Sequence, residues 1–265
     1  MDIRIIQWNI SFKCNAEKIA AYISNNVNGC TVVNLQEVLA STNSKLISIL
    51  QPDDYAYSLD IREPGKHEGK NRKMGVATYV FGGNIEESRL IERSIFPERT
   101  LYTKIIFSGA QIKTLQFHSL TGVDYKKAKS SNFASIADFM HSKPLDFFTC
   151  DANEPKNDAL DNNDLEFFDN KDKGHNAGLL LGSGKVHALS DAFKTYIINN
   201  KIEVNSNPLA TSHVISKKFH KRYDHVYHST SWQPNAVTYP YGASIEASSD
   251  HSAVIGDFTL HTGNK

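Results

Sequence analysis

The sequence has few cysteines, no long apolar run and no net charge. Its three cysteines, Cys14, Cys30 and Cys150, are scattered over 265 residues without a CxxC pair. An odd, widely spaced set argues against a disulfide framework and a cysteine zinc site, and it fits a reducing, cytoplasmic setting. No stretch reaches the roughly 18 consecutive apolar residues that a membrane-spanning helix needs. The N-terminal MDIRIIQWNI lacks a basic segment followed by an apolar one, so it reads as a first strand and not as a secretory signal. Lys and Arg number 29, as do Asp and Glu. That balance argues against a histone-like or tail-driven nucleic-acid binder, but it leaves room for a local basic face.

What is there is an ordinary soluble composition, 40% hydrophobic and 22% charged. No linker, repeat or low-complexity stretch divides the chain, so one domain over residues 1–265 is expected. Runs rich in β-branched and aromatic residues predict strands at 3–8, 31–35, 55–61, 75–81, 101–108, 111–117, 146–149, 222–228 and 253–260. Apolar residues at helical spacing predict helices at 15–25, 41–50 and 125–141, with a short one at 163–168. Gly82-Gly83 and Ser108-Gly109 read as hairpin turns, and 169–184 and 199–220 as surface loops. Strands joined by tight turns and interspersed with helices fit an α/β fold, a four-layered sandwich of two mostly antiparallel sheets packed face to face and flanked by helices.

Several strands end in polar residues where a simple turn is expected. These are Asn9, Gln36-Glu37, His118, Asp151-Ala152-Asn153, Asp224 and Asp250-His251. Singly, each reads as a turn former or a cap. Together on one rim, the carboxylates would repel one another unless a cation compensates them. Oxygen ligands of this kind suit Mg²⁺ or Mn²⁺. Basic residues cluster at Arg62, Lys66, Lys70, Arg72 and Lys73, at Lys126, Lys127 and Lys129, and at Lys217, Lys218, His220, Lys221 and Arg222. These are either solvated loops or contacts to a phosphate backbone. The histidines at 213, 220, 225 and 228 match no zinc pattern. The Gly-rich stretches at 174–178 and 182–184 match neither a Walker nor a Rossmann fingerprint.

In this order, QWNI, LQEV, FHS, TCDANEP, YDHV and SSDHSAV resemble the motifs of the endonuclease/exonuclease/phosphatase superfamily, the DNase I-like fold, across about residues 3–260. The resemblance implies a phosphodiester hydrolase dependent on Mg²⁺ or Mn²⁺. It implies that Glu37 binds the metal, that Asn9 positions metal and phosphate, and that Asp250 faces the metal site. His251 would contact the scissile phosphate as base or transition-state stabiliser, with Asp224 orienting it. Asp151 and Asn153 would orient the attacking water and the phosphate oxygens.

His118 stands where the abasic-site endonuclease branch usually has tyrosine, and where deoxyribonuclease, sphingomyelinase and inositol phosphatase branches have histidine. It would act as a second general acid, with Glu63 or Asp60 as its acidic partner. Arg99 matches a phosphate-contacting arginine of the deoxyribonuclease branch, an exposed loop arginine being the alternative.

The resulting expectation is a monomeric nuclease that cleaves DNA, or RNA, without stable membrane association. One alternative is a phosphatase or phosphodiesterase acting on a small molecule or lipid headgroup; the sequence offers no exposed-looking aromatic hairpin that would favour a sphingomyelinase-like enzyme. Another is a catalytically inactive binding scaffold, against which the intact motif set argues.

Overall fold

The computed structural model describes residues 1–65, 72–122, 126–204 and 206–261. Two six-stranded sheets form its centre. The first runs, edge to edge, β13 (Trp232–Thr238), β14 (Val254–Leu260), β1 (Asp2–Asn9), β2 (Thr31–Val38), β4 (Gly75–Phe81) and β3 (Asp54–Tyr57). The second runs β5 (Gly83–Arg89), β6 (Thr100–Phe107), β7 (Ala110–His118), β8 (Phe147–Asp151), β12 (Asp224–His228) and β9 (Ser190–Asp191). The pairs β1–β2 and β7–β8 are parallel, and every other neighbouring pair is antiparallel.

Strand alternation creates three apolar layers. Between the sheets, Ile3, Ile5, Val32 and Val80 meet Ile105, Phe107, Ile112, Phe147 and Val226. On the outside of the first sheet, Ile6, Trp8, Val33 and Leu35 are covered by α1 (Ala16–Asn26) and α2 (Ala40–Leu50) through Ile19, Ile23 and Leu46. Outside the second, Leu115, Phe117, Phe148 and Cys150 lie under α4 (Lys126–Ser142) and α5 (His175–Leu181) through Phe133, Ile136, Met140 and Leu180. This is the helix–sheet–sheet–helix sandwich that the sequence implies.

The strand directions gather the polar ends. The parallel pairs bring Asn9 beside Gln36 and His118 beside Asp151. Strand β12 runs antiparallel to β8, so its first residue, Asp224, pairs with Asp151. Strand β14 runs antiparallel to β1, so the segment preceding it falls at the same edge. Towards that edge the inter-sheet layer turns polar. Thr78 Oγ1 donates to Asn34 Oδ1 (2.8 Å), Gln116 Nε2 to Thr78 Oγ1 (2.7 Å) and Asn34 Nδ2 to Thr149 Oγ1 (3.1 Å), all buried. Hydrogen bonds across the sheets make such burial tolerable.

Several local expectations fail for identifiable reasons. The strand predicted at 55–61 stops at Tyr57 and continues as the one-turn α3 (Ser58–Ile61). There the buried Ser58 hydroxyl donates to the Glu98 carbonyl (2.6 Å) and accepts from the Val76 amide (2.9 Å). Gly82-Gly83 joins β4 to β5 in the other sheet and is not a hairpin. A Cβ on Gly83 would come within 2.7 Å of the Ile106 carbonyl, so only glycine allows this approach.

The helix expected at 163–168 is a single 3-10 turn at Asn162–Asp164, because Glu166 forms a bridge with Asn157. The loop predicted at 169–184 contains α5, and 199–220 contains a hairpin of β10 (His213–Ile215) and β11 (Phe219–Lys221). Strands β5 and β13 and helices α6 (Ala192–Asn199) and α7 (Tyr241–Glu246) carried no sequence expectation. Lys66, Lys70 and Tyr125 lie outside the described residues.

Candidate active site

Asp224 and His251 form the innermost pair. His251 Nδ1–H donates to Asp224 Oδ2 at 2.8 Å, and Gln7 Nε2 donates to Asp224 Oδ1, also at 2.8 Å. The backbone of His251 is fixed as well: its amide donates to Ser249 Oγ (3.0 Å), and its carbonyl accepts from Trp8 Nε1 (2.9 Å). Burial works against a charged imidazole here, but the carboxylates of Asp224 and Asp151 outweigh it and raise His251 to about 10. The carboxylates thus favour the protonated imidazole, while burial also raises Asp224, so the proton is held within the Asp224–His251 pair.

Asp151 is the hub. Its Oδ2 accepts from Asn9 Nδ2 (2.9 Å) and lies 4.0 Å from His251 Nδ1 and 3.7 Å from His118 Nε2. Its Oδ1 accepts from the amide of Asn153 (3.0 Å), which is held in left-handed backbone at φ 48°. Glu37 also has positive φ, 59°, at a bulge where the β2–β4 register shifts. Bulges re-aim side chains; Gln36 stays buried between the sheets while Glu37 reaches the rim, where its Oε2 accepts from the Phe12 amide (3.0 Å). Burial raises the Glu37 pKa, and the charge of Asp151 adds to this against the bond from Phe12.

Arg99 is buried, which rules out an exposed loop arginine. Its Nη1 lies 3.3 Å from His118 Nδ1. An arginine only donates, so Nδ1 is the acceptor and Nε2 carries the hydrogen. That Nε2 sits 3.7 Å from both Glu37 Oε1 and Asp151 Oδ2. These two, and not Glu63 or Asp60, are the acidic neighbours of His118; both alternatives are exposed. Burial, then Arg99 and His251, push His118 well below the usual histidine range. A neutral imidazole suits hydrogen-bond donation, whereas full proton release would leave an imidazolate.

Asp151, Asp224 and His251 offer ligand atoms within 4.8 Å of one another. Asp224 Oδ2 is bonded to His251 Nδ1 and Asp224 Oδ1 to Gln7 Nε2, so this group is a proton-holding pair beside a carboxylate and a poor metal cage. The better fit for a hard cation is Glu37, whose ionisation is disfavoured by burial and by Asp151 more than the charge of His251 and the bonds from Phe12 and Asn9 favour it. Asn9 Oδ1 and the Asp151 carboxylate supply further oxygens nearby. Asp250 is exposed; its carboxylate helps raise His251, and its carbonyl accepts from His213 Nδ1 (3.0 Å).

The basic clusters divide into buried and exposed members. Arg222 is buried in a two-toothed ion pair with Asp158 (2.8 and 3.0 Å) and a further one with Asp191 (2.8 Å). Lys129 is buried against Glu154 (2.7 Å) and donates to the Asn153 carbonyl (2.9 Å). Arg62 and Arg72 both bind the buried Glu98. These four are structural and withdraw from the expected phosphate contacts. Lys73, Lys126, Lys127, Lys217 and Lys218 are exposed.

Beside the rim lies a cleft of about 850 Å³ lined by Lys126, Lys156, Phe167, Phe168, His213 and Tyr223, among others. The β10–β11 hairpin forms one wall through Ile215 and carries Phe219, 61% exposed. An exposed aromatic hairpin is therefore present, contrary to the sequence expectation.

Sequence reasoning missed Gln7, Ser249, His213 and Lys129 as supports. Gln7 was detectable in principle, since it shares a strand face with Asn9; the others depend on contacts between remote segments.

No family model matches the chain, and no curated protein matches it in sequence. Solved structures do match in fold. D. rerio TDP2 complexed with a single-strand DNA product is similar at TM-score 0.64 and 14% identity, over 98% of this chain and 99% of that one. An endonuclease/exonuclease/phosphatase from Bacteroides vulgatus gives TM-score 0.63 and 14% identity, over 98% and 100%. The human Nocturnin catalytic domain with a bound sulfate gives 0.59 and 16%, over 98% and 95%. The chain has the endonuclease/exonuclease/phosphatase, DNase I-like fold.

Proposed function

We propose that the chain is a divalent-metal-dependent phosphodiesterase acting as a nuclease, with DNA as the favoured substrate. The observation that carries this is the joining of a proton-holding Asp224–His251 pair, the Asp151 hub, a pinned neutral His118 and the rim carboxylate Glu37 at one edge of a sandwich with this fold.

Mg²⁺ or Mn²⁺ would be held by Glu37 with Asn9 and Asp250, where it would offset phosphate charge and lower the pKa of bound water. His251 already carries its proton, so it stabilises negative charge on the phosphate and leaves the base role to Asp151. Asp151 takes the proton of the attacking water, with Asn9 and the Asn153 amide holding its oxygens. Asn153 orients the water and a phosphate oxygen. His118, its tautomer set by Arg99, donates a hydrogen bond from Nε2 to the phosphate or the leaving oxygen. Arg99 adds positive potential from behind His118.

A nucleic acid is favoured because the adjoining cleft pairs Lys126 and Lys156 with Phe167 and Phe168. Lysines beside aromatic rings suit a charged backbone with stackable bases. A second reading, a phosphodiesterase on lipid headgroups, is favoured by the exposed Phe219 and Ile215 flanking Lys217 and Lys218.

The test is purified protein with Mg²⁺ or Mn²⁺ on plasmid, single-stranded DNA, RNA, sphingomyelin vesicles and inositol phosphates. Salt-sensitive cleavage of nucleic acid is expected. Hydrolysis of sphingomyelin alone would favour the second reading, and no hydrolysis of any substrate would remove both.

A further inference from the structure

None of the roles above uses His213, yet its ring lies flat on that of His251. The ring centroids are 4.3 Å apart and the planes differ by 24°. The two residues also form a main-chain bridge, although 37 positions separate His213 from Asp250, whose carbonyl accepts its Nδ1–H at 3.0 Å. Beyond His213, the Tyr223 ring lies 6.2 Å away at the same 24° inclination.

The preceding residue serves the other half of the pair. Ser212 is fully buried, and its hydroxyl accepts from the amides of Tyr223 (2.8 Å) and Asp224 (3.2 Å). Its carbonyl accepts from the amide of Ser252 (2.7 Å). A two-residue segment outside every recognised motif thus touches both Asp224 and His251.

The bond from Nδ1 to Asp224 fixes one point of the His251 ring but not its plane, because the ring can swing about that bond. A flat neighbour restricts the swing, because tilting the His251 ring would break its face-to-face contact with His213. His213 can stay flat because its own Nδ1–H is committed to a main-chain carbonyl, which locks its orientation.

We propose that His213 is a positioning residue, holding the His251 ring in one plane so that its Nε2 keeps a constant direction toward the substrate. Its kinetic consequence rests on the phosphodiesterase reading; its geometric consequence does not.

The experiment compares His213→Ala, His213→Leu and His213→Phe in the full chain, with two readouts. The first is kcat and KM on bis(p-nitrophenyl) phosphate with Mg²⁺. Misaligning a reacting group by about 1 Å costs up to ~10²-fold, so Ala and Leu are expected to lower kcat by roughly 10- to 100-fold, with KM within about threefold. Phe, which keeps a flat ring, is expected to retain kcat within about threefold.

The second readout is the ¹H–¹³C resonance of the His251 ring in metal-free protein. It should be single and sharp in wild type and His213→Phe, and broadened or doubled in Ala and Leu. If Leu matches Phe in both readouts, bulk alone suffices and the proposal is overturned. It is equally overturned if Ala leaves kcat and the resonance unchanged. Should Ala unfold, the Leu and Phe pair of similar size still decides. If wild type cleaves no phosphodiester, the functional reading fails while the resonance still tests His213.

Discussion

Asp224 accepts a hydrogen bond from His251 at 2.8 Å on one oxygen and from Gln7 at 2.8 Å on the other, so the aspartate presents a single fixed face to the imidazole. Asp224→Asn keeps the shape but removes the charge. The His251 pKa, followed by NMR, is expected to fall from about 10 toward 6.5, and kcat to drop by roughly 10²–10⁴-fold. A pKa raised on folding contributes stability that is fully present below about 6.5 and lost as pH rises through about 10. Wild type should therefore lose more stability between these limits than Asp224→Asn, as read by urea midpoints.

Glu37 tests the cation. Its ionisation is opposed by burial and by Asp151. Replacing it with Gln should leave metal-free thermal stability equal or higher, because a buried charge that its surroundings disfavour on balance is removed. Binding to the folded state alone stabilises by RT ln(1 + [L]/Kd), about 2.7 kcal/mol at a hundredfold excess over Kd. The rise in melting temperature on adding Mg²⁺ should thus appear in wild type and vanish in Glu37→Gln. An equal rise in both would move the cation away from Glu37.

Lys129 tests a buried support in a cluster whose sequence reading is either a solvated loop or a phosphate contact. It neutralises Glu154 in the interior and ties the Asn153 carbonyl. Lys129→Met leaves a buried carboxylate without its cation, which typically costs about 3–5 kcal/mol. Chemical denaturation should show a loss of that order, and the double change with Glu154→Gln should recover part of it. A Lys129→Met variant as stable as wild type would return this lysine to the surface role.

His187 should contribute acid sensitivity away from the rim. Its Nδ1 accepts from the Leu189 amide (3.2 Å) and its Nε2–H donates to the Leu180 carbonyl (2.9 Å), an arrangement open only to the neutral ring. Burial lowers its pKa to about 4. The unfolded chain binds this proton near 6.5 and the folded chain does not, so stability present above about 6.5 is lost as pH falls toward 4. At 1.36 kcal/mol per unit the loss is on the order of 3 kcal/mol. Urea midpoints at pH 7 and 4.5 should converge in His187→Gln relative to wild type.

The rim was legible in the sequence because polar residues at strand ends interrupt the apolar alternation. Asn9, Glu37, His118, Asp151, Asp224 and His251 each stood out for that reason, and the structure brings them to one edge. The layers were legible through the same alternation. What stayed hidden depends on partners far along the chain. The burial of Arg222 requires Asp158 and Asp191, 64 and 31 positions away, so it could not be told from its exposed neighbours Lys217 and Lys218. Helix α5 begins with the polar Gly174-His175-Asn176, which masked the buried Ala177, Leu180 and Leu181. The β10–β11 hairpin has three residues per strand, too few to show a period, so the sequence placed His213 in a loop and gave no sign of its contact with His251.

The most direct measurement is the initial rate of single-stranded DNA cleavage by wild type and Asp151→Asn, with Mg²⁺ and with EDTA. Wild type is expected to cleave in Mg²⁺ and lose activity in EDTA, and Asp151→Asn to fall by roughly 10²–10⁴-fold in Mg²⁺ without loss of fold. Cleavage by wild type that persists in EDTA, or that Asp151→Asn retains in full, would contradict a metal-assisted site centred on Asp151.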